Sequence, residues 1–136
     1  MKKLVLVKHA SGAPGLRIFG LGESFVPRDG VKKLKKLFDT NTSWAKNRSI
    51  ENIKIMLSNS DVVVSAWMNK SMIGFGRATT DSTFRSTLWD IVVDKKHQTL
   101  GLGKKIVSLI LQDSKIIGSE KTYLMTTNCE SFYKNR

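Results

Sequence analysis

The feature that most constrains the fold is a passage from strand to helix across residues 88–117. An apolar run, Leu88-Trp89-Asp90-Ile91-Val92-Val93, is followed by Gln98-Thr99-Leu100-Gly101-Leu102-Gly103-Lys104, which opens a helical pattern from Leu102 to Ile117. A strand that runs through a glycine loop into a helix aims unpaired backbone N–H groups and the positive end of the helix dipole at one point. Gly101 and Gly103 lack Cβ, so the backbone can turn sharply there and a bulky anion can come close, while Lys104 and Lys105 add charge. That point suits a phosphate; a plain turn is the alternative for a bare Gly-x-Gly. The Gly-Lys-Ser/Thr ending of a Walker loop is absent, and the third glycine of a Rossmann fingerprint is missing.

The 136 residues, 40% of them hydrophobic, fit one globular domain with a single core. One cysteine, Cys129, cannot build an internal disulfide framework, and it reads as a packed thiol because neither histidine is near it in sequence. His9 and His97 are too few and too scattered for a metal site, so no metal is expected. No apolar run is long enough to span a membrane. The net charge of +12 favours partners that carry phosphate or carboxylate, such as RNA, a membrane surface or a nucleotide cofactor; solvated lysine-rich helix faces are the alternative.

In chain order, residues 1–7 read as a first strand, because Lys8 and His9 cut the apolar run too short for a signal peptide. Glycines and Pro14 then punctuate a loop with a short strand around 16–19. From Arg28 to Asp39 the pattern is helical, with Val31, Leu34, Leu37 and Phe38 on one face, lysines outside it, and Asp29 as N-cap. A second helix from Ile50 to Leu57 is capped by Ser49. The loop between them carries Trp44, which either anchors the loop or stacks on a ligand. Strands 62–68 and 72–80 form a hairpin, followed by strand 88–93. Gly74 and Gly76 inside the second strand imply close packing of a neighbouring strand. Gly118 closes the long helix, and 123–127 reads as a strand parallel to 88–93 through a right-handed crossover.

The stretch Leu88 to Asp94 followed by Gln98-x-x-Gly101-x-Gly103 resembles the acetyl-CoA-binding motif of the GNAT superfamily of N-acetyltransferases. Downstream, Tyr123-Leu124-Met125-Thr126-Thr127 and Phe132-Tyr133 resemble that family's next strand and the start of its tyrosine-bearing helix. The Trp89-Asp90 pair and the Phe132-Tyr133 segment are similar to the plastid and cyanobacterial branch, which includes plastid-encoded reading frames and serotonin N-acetyltransferase-like enzymes. The match runs from about Val31 to the C-terminus, leaving 1–27 poorly matched.

The resemblance implies an α/β fold, a GNAT-like mixed, mostly antiparallel sheet flanked by helices. It implies a plastid location, acetyl-CoA as co-substrate and an amine as acyl acceptor: a protein N-terminus, a lysine or a small arylalkylamine. The central strand would be bulged and splayed from its parallel neighbour, so that the backbone of Ile91, Val92 and Val93 binds the pantetheine arm like an added strand. The phosphates would rest on Gln98, Thr99, Leu100, Gly101, Leu102, Gly103 and Lys104, with Asn128 as a further contact. A backbone N–H of the central strand would stabilise the tetrahedral oxyanion. Tyr133 would protonate the departing thiolate, and Asp90 is the candidate base, directly or through water; an ion pair of Asp90 with Arg77 or Arg85 is the alternative. Family domains continue past the tyrosine with Gly-Phe and two further strands, whereas this sequence ends at Arg136. The expected sheet therefore lacks its final two strands and leaves 123–127 as an open edge, which a homo-oligomer could complete. A reading of another class is a non-catalytic basic module that binds RNA or a ribosomal surface on the same scaffold.

Overall fold

In the computed structural model, which describes residues 3–125 and 131–135, the chain runs β1 (Leu4–Lys8), α1 (Pro14–Ile18), α2 (Gly30–Asn41), α3 (Ile50–Ser58), β2 (Val62–Met68), β3 (Ser71–Thr80), β4 (Arg85–Val93), α4 (Leu102–Leu111), α5 (Ser114–Ile117), β5 (Lys121–Met125) and β6 (Ser131–Asn135). The strands form one mixed sheet in the order β1-β2-β3-β4-β5-β6. Every neighbouring pair is antiparallel except β4 and β5, which run parallel. The parallel pair requires a crossover, and α4 with α5 supplies it.

Strand alternation divides the apolar residues between two layers. Val63, Trp67, Phe75 and Val92 point to the side covered by α1, α2 and α3, where Leu16, Leu34, Phe38, Ile53 and Leu57 complete a core. Val62, Val64, Ala66, Ile73 and Leu88 point to the other side, against Leu102, Ile106 and Ile110 of α4. The β2–β3 hairpin closes on two residues, Asn69 and Lys70, both at positive φ (52° and 70°), the turn whose twist matches that of the strands.

Several expectations are corrected. Residues 14–18 are a helical turn instead of a strand, with Pro14 in the first turn, where its missing N–H costs nothing, and Leu16 buried. The next helix starts at Gly30; Asp29 occupies the N-cap position at φ 53° but makes no capping bond, whereas Ser49 Oγ does accept the N–H of Asn52 at 3.0 Å. The stretch 102–117 is two helices, because the carboxylate of Asp113 accepts the N–H of Lys115 (2.9 Å) and starts a new turn. Gly118 ends α5 at φ −70°; a Cβ there would meet the carbonyl oxygen of Ser82 at 2.9 Å. Gly74 and Gly76 admit a helix as well as the neighbouring strands: a Cβ at either would come within 2.8 Å of Ile106 of α4, and one at Gly76 would also stand 2.7 Å from Ile91 of β4. Finally, Phe132-Tyr133 lies in a strand, not at the start of a helix. With β6 antiparallel to β5 and Tyr133 opposite Tyr123, the edge expected to be open is paired, and its backbone groups have partners.

Candidate active site

β4 is bulged where the sequence reading placed chemistry. Phe75 pairs with Val92 and Arg77 with Trp89, so Gly76 alone faces both Asp90 and Ile91. Asp90 absorbs the extra residue at φ 55°, in the left-handed region, which aspartate tolerates better than most side chains. As a result Trp89 and Asp90 both belong to the α2–α3 face, while Leu88 and Ile91 belong to the α4 face. The parallel ladder to β5 ends at Leu88↔Leu124, although β5 continues to Met125. Beyond Leu88, β4 therefore offers an edge with no ladder to β5.

The Asp90 side chain, 6% exposed, is held by two guanidinium groups. Arg77 Nε donates to Oδ2 at 2.8 Å, Arg48 Nη1 to Oδ2 at 3.1 Å and Arg48 Nη2 to Oδ1 at 3.2 Å. Three of the carboxylate's roughly four acceptor positions are thereby taken, two on Oδ2 and one on Oδ1. Arg77 also lies over the Trp89 ring, 5.7 Å from its centroid, and Trp89 Nε1 donates to Thr79 Oγ1 at 2.9 Å. Arg48 comes from the α2–α3 loop and lies against the rings of Phe38 (5.2 Å) and Trp44 (6.0 Å). Trp44 is 38% exposed.

At the other end of β4 the chain is tied down before it turns. The Asp94 N–H donates to Ile73 O, the Lys95 N–H to Asn41 Oδ1 of α2, and His97 Nδ1 pairs with Asp94 Oδ2 at 2.8 Å. A 3-10 turn over Lys95–Leu100 follows, within which Gln98 Nε2 donates to Val93 O at 3.3 Å. Gly101 then takes φ 65° and acts as the N-cap of α4, with no side chain capping the helix and no atom within 4 Å of where its Cβ would stand. The N-terminus of α4 thus has no side-chain cap, and Lys104 and Lys105 are exposed beside it.

One cavity of about 550 Å³ joins the two ends. Leu88 and Ile91 of β4, Thr122 to Leu124 of β5, and Gly103, Lys104 and Val107 of α4 line it. It is apolar along the strands and reaches the basic helix N-terminus, a shape suited to an extended arm that ends in phosphate. Of the residues expected to hold the cofactor, Ile91, Gly103 and Lys104 line this cavity, which also extends along α4 past Ser108 and Leu111 to Gln112; Val92, Val93, Gln98, Gly101 and Leu102 do not line it. Val92 and Leu102 bury their side chains in the two cores, so only their backbone is available to a ligand. Thr99 and Leu100 contribute the backbone of the turn. Asn128 lies outside the described residues, and Tyr133 is placed by its backbone, in β6 opposite Tyr123. The sequence reading missed Arg48: nothing local to it signals a partner 42 positions away. It also missed the cavity-lining role of Tyr123 and Val107, which read as ordinary core.

The model of the Acetyltransferase (GNAT) family matches residues 31–135. An uncharacterised N-acetyltransferase, ycf52, of Pyropia yezoensis is 35% identical over 107 residues, which cover 75% of this chain and 60% of that protein. GCN5-related N-acetyltransferase 1, chloroplastic, of Arabidopsis thaliana is 32% identical over 73 residues, 52% of this chain and 37% of that one. The chain thus spans about 60% of the length of the ycf52 relative. A solved aminoglycoside 6′-N-acetyltransferase complexed with coenzyme A superposes with a TM-score of 0.61 at 19% identity, covering 76% of this chain and 58% of that chain.

Proposed function

The chain belongs to the GNAT family of acetyltransferases, and on that premise we propose that it transfers the acetyl group of acetyl-CoA directly to an amine. The observation that carries this reading is the single cavity running from the unladdered edge of β4 to the uncapped N-terminus of α4. An extended pantetheine would hydrogen-bond the β4 backbone at Ile91, Val92 and Val93, and the pyrophosphate would accept from the N–H groups of Thr99 to Lys104. The residues present fit the cofactor: the phosphate end meets glycine, lysine and free N–H groups, and the arm meets leucine, isoleucine and valine. The complex of a structural neighbour with coenzyme A supports the same assignment.

Acetyl-CoA supplies the activated thioester. The amine must lose its ammonium proton before its nitrogen attacks the thioester carbon, and a backbone N–H of the β4 edge would hold the oxyanion that forms. Tyr133 is proposed as the donor to the departing thiolate, whose pKa of about 8.5 against about 10 for tyrosine leaves the transfer only modestly uphill. Asp90 fits best as a positioning residue: held by Arg48 and Arg77, it fixes the bulge that turns β4 outward. Proton removal then falls to water at the rim or to a group brought by the acceptor. The acceptor would enter from the side of the α2–α3 loop, where Trp44 and Arg48 flank the bulge. A plastid location is proposed on the same footing, supported by the chloroplastic relative.

A second reading, RNA binding on the same scaffold, draws on Lys33, Lys36 and Lys96, which line a separate cavity of about 370 Å³ between α2 and the 3-10 turn. Calorimetric titration of the chain with acetyl-CoA and with a short RNA at two salt concentrations separates the two. Saturable one-site binding of acetyl-CoA supports acetyl transfer. Failure to bind it, together with steeply salt-dependent RNA binding, overturns the enzymatic reading in favour of the second.

A further inference from the structure

We infer that the acceptor amine carries a carboxylate close to its nitrogen, and that Arg48 is the residue that reads it. The inference rests on the acetyl-transfer reading and concerns the other half of the same site.

Arg48 offers a fork that no group among the described residues fills. Its Nη1 and Nη2 each donate to Asp90, and Nη1 also approaches the sulfur of Met56 at 3.5 Å. Nε–H and the second hydrogen of Nη2, the side edge of the guanidinium, have no partner among the described residues. The Arg48 side chain is 32% exposed, against 6% for Asp90, so the arginine is the more accessible partner of the pair. Its plane is already set by Asp90 on one edge and by the neighbouring rings of Phe38 and Trp44. An arginine whose plane is fixed has little entropy left to lose when a carboxylate takes two parallel N–H bonds.

The surrounding charge points the same way. Arg48 and Arg77 share a single carboxylate, which leaves one positive charge in excess. Asp39 is engaged by Lys35 and by the N–H of Asn47, and Lys46 is exposed nearby in the same loop. Such a rim repels a polycation, whereas an amine with an adjacent carboxylate arrives with no net charge and places its anionic end on Arg48. Trp44 beside the fork suits an apolar side chain on the same molecule.

The test compares phenylalanine with phenylalaninamide, which keeps the amine and the ring and loses the anion, and adds spermidine as a polycation. With acetyl-CoA saturating, the expected kcat/KM for phenylalanine is at least about tenfold above the amide, with spermidine lowest. Arg48→Gln should bring the ratio of kcat/KM for phenylalanine to that for the amide down to about one, beyond any loss that both share through Asp90; with Arg48→Lys, which keeps charge without the fork, the ratio should fall between. Equal or better use of the amide or of spermidine overturns the inference. So does an Arg48→Gln variant that depresses both phenylalanine and its amide alike, since that is the mark of a structural role. If acetyl-CoA itself fails to bind in the calorimeter, the acetyl-transfer reading has fallen. The fork is then judged alone, by calorimetric titration with N-acetylphenylalanine: binding to the native chain and not to Arg48→Gln supports it, and equal binding to both or binding to neither overturns it.

Discussion

Two residues at the ends of the proposed cofactor path adopt the same left-handed backbone by opposite means. Gly101, at φ 65°, needs nothing from its surroundings: it has no Cβ, and the space where one would stand is empty. Asp90, at φ 55°, holds a conformation that costs a side-chain-bearing residue roughly 1–2 kcal/mol, and the arginines of two other elements keep it there. The first is a local property of the chain and leaves room for a ligand. The second is tertiary and fills its space, so its removal should be felt throughout the sheet.

The sharpest way to break this contrast is to remove the carboxylate. Asp90→Ala leaves two guanidinium groups without their shared anion, and we expect a loss of about 3 kcal/mol in denaturant unfolding, toward the low end for a broken pair because Arg48 is partly solvated. Asp90→Gly removes the same charge and also relieves the backbone, and should recover about 1 kcal/mol of that loss. Equal destabilisation by the two variants would mean that the positive φ carries no strain. At the other end, Gly101→Val puts a β-branched residue at φ 65° and should cost about 1–2 kcal/mol of stability, less than Asp90→Ala, and yet lose acetyl-CoA affinity by about 2 kcal/mol, some thirtyfold. A variant that binds normally would remove Gly101 from the phosphate site. Gly76→Ala probes both ends through the residue between them. Its Cβ would stand 2.7 Å from Ile106 of α4 and 2.7 Å from Ile91 of the bulged strand. Overpacking should cost about 1–2 kcal/mol of stability, with a smaller change in acetyl-CoA binding than at Gly101. A variant as stable as the native chain would mean that α4 can move off the sheet freely.

The same contrast explains what could be read from the sequence. Gly101 and Gly103, the apolar strand before them and the helical period after them are local signals, and they placed the strand-to-helix turn and the parallel crossover correctly. The hairpin at Asn69-Lys70 and the Ser49 cap were legible for the same reason. The Asp90 bulge was legible only through the family resemblance, because its anchors sit 42 and 13 positions away. The break at Asp113 was hidden because apolar spacing continues across it to Ile117, and only a carboxylate bonding its own backbone interrupts the helix. Residues 131–135 were given a helix by resemblance, while their pairing with β5 depends on a neighbouring edge that the residues themselves do not announce. Arg48 was invisible on both counts.

A group far from both positions supplies the smallest effect and the control for the others. His9 follows β1 at the opposite end of the sheet, its N–H bonded to Val63 O. Trp67 Nε1 donates to Ser65 Oγ at 2.7 Å, and the same hydroxyl is hydrogen-bonded to His9 Nε2 at 2.8 Å. Burial lowers the His9 pKa from 6.5 to about 4. Between those two values the unfolded chain binds the proton and the folded chain does not, so stability is complete above about pH 7 and falls as the pH drops. At pH 5.5 the loss relative to pH 7 should be about 1 kcal/mol, a fall in melting temperature of some 3–5 °C for a chain of this size. His9→Gln removes the titrating ring while keeping a group able to hydrogen-bond Ser65, and its melting temperature should change less over the same interval. Carboxylates such as Asp39, Asp81 and Asp113, all held below their usual range, begin to release their contribution only at lower pH and do so in both proteins. Parallel melting curves for the two proteins from pH 7 to 5.5 would mean that the ring is solvated. A change in acetyl-CoA affinity in His9→Gln at pH 7 would mean that the two edges of the sheet are coupled, and the losses at Asp90 and Gly101 could then no longer be read as local to each position.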